Sequence, residues 1–140
     1  MGKNCSFHEQ AKKANLKVNP LFWKLSDKEL LQYKCGPGDG VLEKAVPETA
    51  YGLYIRVCCV NHDIDWQEAL ESYERTGNLE QFRVDIERAN ERFLVNLIRF
   101  INTYSTPLLK GPRRYRATTY YNAVEDIGRD YYIKEHRANG

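Results

Sequence analysis

Two short stretches of this chain carry groups that could do chemistry together. Residues 58–63 read CCVNHD, so a potential general base, His62, stands directly before a carboxylate, Asp63. Residues 35–38 read CGPG, a turn whose main-chain carbonyls can point inward without side-chain clashes. Calcium binds several oxygen ligands and accepts both carboxylates and carbonyls. The pair of stretches predicts water-mediated acyl hydrolysis, with His62 activating water and a cation stabilising the oxyanion.

The apolar pattern predicts a mainly α fold built on two long antiparallel helices. The first helix is expected over about residues 47–76, with Pro47 in its first turn, and its apolar stripe runs from Ile55 to Tyr73 at steps of three and four. The second is expected to run to about residue 102, with a similar stripe from Phe82 to Ile101. Gly77 suits the left-handed position that ends a helix, and Asn78 can cap the next one. Because this connection is so short, the two helices should be antiparallel neighbours.

This hairpin predicts a polar partner for His62. His62 lies 15 positions before Gly77 and Asn90 lies 13 positions after it. At roughly 1.5 Å of rise per residue, the two should be nearly level on the inward stripes. We therefore expect Asn90 to hydrogen-bond His62 and fix its tautomer. The indole N–H of Trp66 can also donate toward Asn90, and Tyr73 is a further core or pocket residue on the same stripe.

The rest of the chain is predicted to form shorter elements. Ser26 can cap a short helix over residues 26–33 with Glu29 as its capping-box partner. A turn or short hairpin is expected within residues 36–46. Residues 105–117 are predicted to form a loop because they contain Pro107, Gly111 and Pro112. A third helix is expected over residues 118–136.

Length and composition indicate one domain over residues 1–140. Its parts would be an N-terminal arm (1–25), a catalytic core (26–104), and a basic loop with a C-terminal helix (105–140). No apolar run is long enough to cross a bilayer, and the N-terminus lacks the apolar core of a secretory signal. The location stays open, with a secreted or virion-associated protein favoured, and the sequence leaves the oligomeric state open.

Taken together, the two stretches resemble the phospholipase A2 family. Its motif is Cys-Cys-x-x-His-Asp on a long helix after a glycine-rich calcium loop of the form Cys-Gly-x-Gly. The sequences of residues 35–38 and 89–94 (ANERFL) most resemble those of the compact viral phospholipase A2 domains of parvovirus capsids. The resemblance covers about residues 30–98. It implies calcium-dependent hydrolysis of the sn-2 acyl ester of glycerophospholipids.

The resemblance also implies a role for each matching residue. His62 would be the general base, with Asn90 at the position of its partner. Asp63 would bind calcium together with the main-chain carbonyls of Lys34, Gly36 and Gly38. The N–H of Gly36 would stabilise the oxyanion.

The four cysteines alone allow either two disulfides or buried thiols. The resemblance implies a bridge between Cys35 and Cys59, which leaves Cys5 as the remaining partner for Cys58. A zinc site on Cys35, Cys58, Cys59 and His62 is disfavoured because the cysteines lack the usual spacing.

The chain departs from the family pattern at three places. Asn90 stands where the family has an aspartate, Trp66 stands where it has a tyrosine, and the stretch between Gly38 and His62 is longer. An amide accepts the histidine N–H but cannot stabilise an imidazolium by charge. In a Ser-His-Asp triad the same change costs about four orders of magnitude in rate. The alternatives are therefore a catalytically weak relative that binds lipid or protein, and a purely structural domain with a buried, satisfied histidine.

Basic residues gather in the predicted loop: Lys110, Arg113, Arg114 and Arg116. Such a cluster is commonly a solvated surface, but with neighbouring tyrosines it is also suited to anionic lipid headgroups. The expected partner is a phospholipid surface. The formal net charge of +2 and the lack of a recognition motif argue against nucleic acid.

Overall fold

The computed structural model describes residues 6–33 and 49–139, which are mainly helical. In chain order, the elements in these ranges are α1 (Phe7–Ala14), α2 (Pro20–Lys24), α3 (Asp27–Leu30), β1 (Thr49–Ala50), β2 (Leu53–Tyr54), α4 (Arg56–Thr76), α5 (Leu79–Tyr104) and α6 (Pro107–Asn139).

The connection between α4 and α5 confirms the predicted hairpin. Gly77 ends α4 with a φ of 69°, a left-handed conformation that costs a residue without Cβ little. Its N–H donates to the carbonyl of Tyr73 at 2.7 Å. The side chain of Asn78 then caps α5 by accepting from the N–H of Gln81 at 3.1 Å. The long helices α4 and α5 therefore pack side by side, as expected.

The predicted start of the first long helix is wrong. Residues 49–54 form a two-stranded antiparallel hairpin, and α4 begins only at Arg56. The turn of this hairpin holds Tyr51 and Gly52 at φ values of 47° and 80°, both outside the helical region. Two successive positive φ angles interrupt any helix, so the predicted start at Pro47 is about nine residues too early. The turn or hairpin expected within residues 36–46 lies outside the described residues.

The predicted loop over residues 105–117 is also wrong. α6 begins at Pro107 and continues through Gly111 and Pro112 to Asn139. Proline suits a first helical turn because its missing N–H would be unpaired there. Pro112 sits one turn further in, and its helix is held by the buried side chain of Arg113. That guanidinium donates to the carbonyls of Ala50 and Tyr51 in the hairpin and to the hydroxyl of Ser105.

The described part of the N-terminal arm, residues 6–25, is folded against the body. α1 packs on α5, and Asn96 of α5 makes two hydrogen bonds with the main chain of Lys17, at 2.7 and 2.9 Å. The expected capping box of α3 is confirmed, because Ser26 and Glu29 bond each other's main-chain N–H groups. α3 ends at Leu30, however, three residues before the predicted end.

The N-terminal half of α4 is surrounded by other elements. All residues from 57 to 64 are buried, including the polar Asn61, His62 and Asp63. Two apolar clusters flank the helical hairpin of α4 and α5. One lies around Phe100 and Leu97, and the other lies around Trp66 and Phe82. Among the described helices, none is long and apolar enough to cross a membrane.

Candidate active site

His62 and Asn90 face each other across the two long helices. His62 Nε2 lies 2.7 Å from Asn90 Oδ1, and both side chains are almost fully buried. The imidazole also stacks on the ring of Phe93, with 4.6 Å between ring centroids. The hydrogen bond predicted from the positions of both residues relative to Gly77 is confirmed. It joins residues 28 positions apart in sequence.

Trp66 determines which way the Asn90 amide points. Its indole nitrogen, a group that can only donate, lies 3.2 Å from Asn90 Oδ1. The atom facing both Trp66 and His62 must therefore be the amide oxygen. Because an amide oxygen cannot donate, His62 carries its proton on Nε2. The Nδ1 atom of neutral His62 then keeps its lone pair, which is the arrangement a general base needs.

The surroundings of His62 keep it uncharged. Burial lowers its pKa from about 6.5 to about 4, and the hydrogen bond to Asn90 offsets only part of this effect. At neutral pH the imidazole is thus fully in the form that can accept a proton. The cost is low basicity, since a base takes a proton less readily the further its pKa lies below the working pH.

Asp63 follows His62 on α4, about 100° further round the helix axis. Its carboxylate is buried, and Oδ2 accepts from Gln67 at 3.3 Å. Burial, together with the negative charge of Asp63, raises the pKa of Tyr33. The side chain of Tyr33 therefore lies within electrostatic range of Asp63. Tyr33 directly precedes Lys34, the first residue of the predicted calcium loop.

The calcium loop itself is outside the described residues. This applies to every candidate in it, namely Lys34, Cys35, Gly36 and Gly38. Within the ranges 6–33 and 49–139, the structure contains no group of three or more His, Cys, Asp or Glu side chains placed to hold a metal ion. Of the four residues expected to bind calcium, only Asp63 lies within the described ranges.

The two neighbouring cysteines of α4 differ. Cys58 is a free thiol in the core, and burial raises its pKa. The predicted bridge between Cys58 and Cys5 is therefore wrong. Because Cys58 has no exposed surface, it behaves as a small apolar core residue. Cys59 is equally buried and is not free. Its pairing with Cys35 involves a residue outside the described ranges and stays a prediction.

The basic cluster divides into buried and exposed members. Arg113 is buried against the β-hairpin, so the prediction that it contacts lipid headgroups is wrong. Arg114 is exposed and bonds Asn102, while Arg116 lies over the ring of Tyr51, 4.8 Å from its centroid. Lys110 lies on the same part of α6.

Tyr73 belongs to the second apolar cluster. It stacks on Phe82, and its hydroxyl donates to Glu135 of α6 at 3.3 Å. It supports the packing of the three long helices, as a core residue would.

The sequence reading missed the contribution of α6 to the site. The amide nitrogen of Asn90 donates to the main-chain carbonyl of Val124 at 3.4 Å. One turn later, Gly128 packs against Trp66 and Asn90. A glycine inside a helix is a usable signal, because it often marks a close approach of another element. Gly128 lies in the helix predicted over residues 118–136, but nothing in the sequence indicated that this helix approaches His62.

A second polar feature also escaped prediction. A cavity of about 420 Å³ lies between α4 and α5, lined by both charge signs and by Asn19. Asn19 donates to Asp65 and Glu68, and Arg92 pairs with Asp65 at 3.3 Å. Burial raises the pKa of Asp65, against the opposing effect of Arg92. His62, Asp63 and Asn90 do not line this cavity.

No protein-family model, curated protein or solved structure matches this chain.

Proposed function

We propose that this protein is a calcium-dependent hydrolase that cleaves the sn-2 acyl ester of glycerophospholipids. The observation that carries the proposal is the His62–Asn90 hydrogen bond, because it holds a neutral imidazole with its proton on Nε2. Asp63 stands at the next position of the same helix, as a calcium ligand would in the family that the two motifs resemble.

The chemistry begins with a proton transfer to His62. Nδ1 accepts a proton from a water molecule, and the resulting hydroxide attacks the ester carbonyl carbon. When the tetrahedral intermediate collapses, the same proton moves to the departing alcohol oxygen, giving a fatty acid and a lysophospholipid. Asn90 keeps the ring oriented throughout but supplies no negative charge to the imidazolium.

The residues proposed to hold calcium are Asp63 and the carbonyls of Lys34, Gly36 and Gly38. When bound, the ion supplies charge stabilisation to the developing oxyanion, and the N–H of Gly36 is proposed to donate to the same oxygen.

The start of α6 is proposed as the contact with the lipid surface. Leu108 is 85% exposed and Tyr115 is 73% exposed, and they are seven residues apart, so they share one face of the helix. Lys110, Arg114 and Arg116 lie on the same stretch of α6 and give this segment positive charge. Exposed apolar side chains flanked by cations suit the headgroup region of an anionic bilayer.

A second candidate function is a catalytically weak module that binds lipid or a protein partner. Two observations favour it: the partner of His62 is an uncharged amide, and burial depresses the pKa of His62 to about 4. Both reduce the driving force for proton abstraction from water.

Hydrolysis is tested with mixed phosphatidylcholine and phosphatidylglycerol vesicles, by measuring fatty-acid release with calcium and with a chelator. We expect calcium-dependent release that falls at least about 100-fold in His62→Gln. Glutamine keeps an N–H that can donate to Asn90, and its side chain is similar in volume to that of histidine. The variant therefore removes the base and changes little else. Release that persists in both the chelator and His62→Gln excludes the mechanism, and no release from wild type favours the binding module.

Calcium binding is tested separately by thermal unfolding. Calcium at about 100 times its Kd should stabilise the folded protein by about 2.7 kcal/mol. Asp63→Asn should lose this stabilisation, whereas Asp126→Asn, which removes a charge from an exposed ion pair, should keep it. Equal calcium responses in the two variants would remove Asp63 from the site.

A further inference from the structure

The contacts around Asn90 involve three helices. Its Oδ1 accepts from His62 and Trp66 of α4, while its Nδ2 donates to the carbonyl of Val124 on α6. The two ends of the side chain thus meet opposite demands. One end faces two donors, and the other end faces an acceptor.

Only a group with one acceptor end and one donor end satisfies this environment. An ionised aspartate would place its second oxygen against the Val124 carbonyl oxygen, at about the 3.4 Å now spanned by the hydrogen bond. That contact brings two acceptors together in a fully buried site, where an unpaired polar group is costly. An amide meets both demands without taking up or losing a proton.

Gly128 gives Asn90 access to the Val124 carbonyl. Helical side chains lean toward the N-terminus, so a side chain at position 128 would cover the turn that contains Val124. A Cβ at this position would lie 2.9 Å from Ile86 Cγ2, and 3.5 Å from both Asn90 Nδ2 and Trp66 Cζ2. The Ile86 methyl is attached at the branched Cβ and has little freedom to move. Any side chain at 128 therefore pushes α6 away from α5.

We infer that α6 is a positioning element for His62. The Val124 carbonyl and Gly128, which has no side chain, form a site that suits the amide of Asn90 and does not suit an aspartate. The inference rests on the proposed function for its catalytic meaning. Its geometric content concerns only the His62 tautomer, which is measurable without any substrate.

The tautomer is tested by ¹⁵N NMR of the His62 ring at neutral pH, in Gly128→Ala and in the matched variant Gly111→Ala. Both glycines lie in α6, but a Cβ at Gly111 meets nothing within 4 Å. We expect wild type and Gly111→Ala to carry the proton on Nε2. Gly128→Ala should shift the tautomer ratio toward Nδ1 by about fivefold, as expected from a weakened hydrogen bond. A folded Gly128→Ala with the wild-type His62 spectrum would overturn the inference.

Asn90→Asp keeps the inference testable if Gly128→Ala does not fold. If the site is built for an amide, the aspartate gives no increase in fatty-acid release and lowers the melting temperature. A rate increase of tenfold or more with an unchanged melting temperature would show that the site accepts a carboxylate, and the inference would fail. If neither protein releases fatty acid, the proposed function fails, while the melting temperature and the His62 spectrum still decide the role of α6.

Discussion

Acid should weaken this protein through His62 in a narrow and predictable range of pH. The folded protein keeps the imidazole neutral down to a pH of about 4, because the ring is buried and its partner is uncharged. In the unfolded chain the same ring takes up a proton near pH 6.5. Between these values only the unfolded chain gains a proton, so the free energy of unfolding falls as the pH is lowered.

The size of the effect follows from the two pKa values. One pH unit corresponds to about 1.4 kcal/mol, so the window from 6.5 to about 4 represents about 3 kcal/mol. About 2 kcal/mol of this should already be lost at pH 5. The contribution is fully present above about pH 6.5 and falls away as the pH approaches 4. Against a total stability of about 5–15 kcal/mol, this is a large share.

The assay is urea unfolding at pH 7.5, 6, 5 and 4.5 for wild type and His62→Gln. The glutamine does not titrate, and the other titrating groups are common to both proteins, so their contributions cancel in the difference. We expect the wild type to lose stability relative to His62→Gln by about 2 kcal/mol between pH 7.5 and 5. Parallel stability curves for the two proteins would refute the claim that His62 is buried and uncharged.

Three further predictions concern parts of the fold that hold the site in place. Arg113→Ala should lower the free energy of unfolding in urea by about 3 kcal/mol, because the carbonyls of Ala50 and Tyr51 in the β-hairpin lose their hydrogen-bond donor. The exposed Arg114→Ala should cost under about 1 kcal/mol, and equal losses would contradict the structural role of Arg113. Asn96→Ala should cost about 2 kcal/mol and expose the N-terminal arm to limited proteolysis, since two main-chain hydrogen bonds to Lys17 are lost. Finally, mass spectrometry after iodoacetamide treatment should find Cys58 unmodified in native protein and modified in urea; modification in the native state would contradict its burial.

The local part of the site could be predicted from the sequence. His62 and Asn90 are level because α4 and α5 are unbroken on either side of a tight connection, so counting positions from Gly77 was sufficient. The donor role of Trp66 followed in the same way, since an indole one turn from His62 faces the same partner. Helical periodicity and capping are local properties, and they transfer directly from sequence to structure.

The parts that depend on contacts distant in sequence could not be predicted in this way. Residues 107–117 contain helix-breaking residue types, yet they are helical because Arg113 is anchored on a β-hairpin more than sixty positions earlier. The same hairpin was itself read as helix, since the apolar pattern says little about the positive φ angles of Tyr51 and Gly52. The approach of α6 to Asn90 depends on Gly128, whose meaning appears only once the three helices are packed.

The most direct test of the account is a crystal structure of the calcium-saturated protein. We expect one ion bound to the carboxylate of Asp63 and to the main-chain carbonyls of Gly36 and Gly38. His62 Nδ1 should face a water molecule beside that ion, with Nε2 still bonded to Asn90. A calcium ion bound elsewhere, or an Asp63 carboxylate that shares no ion with the glycine-rich loop, would contradict the proposed chemistry.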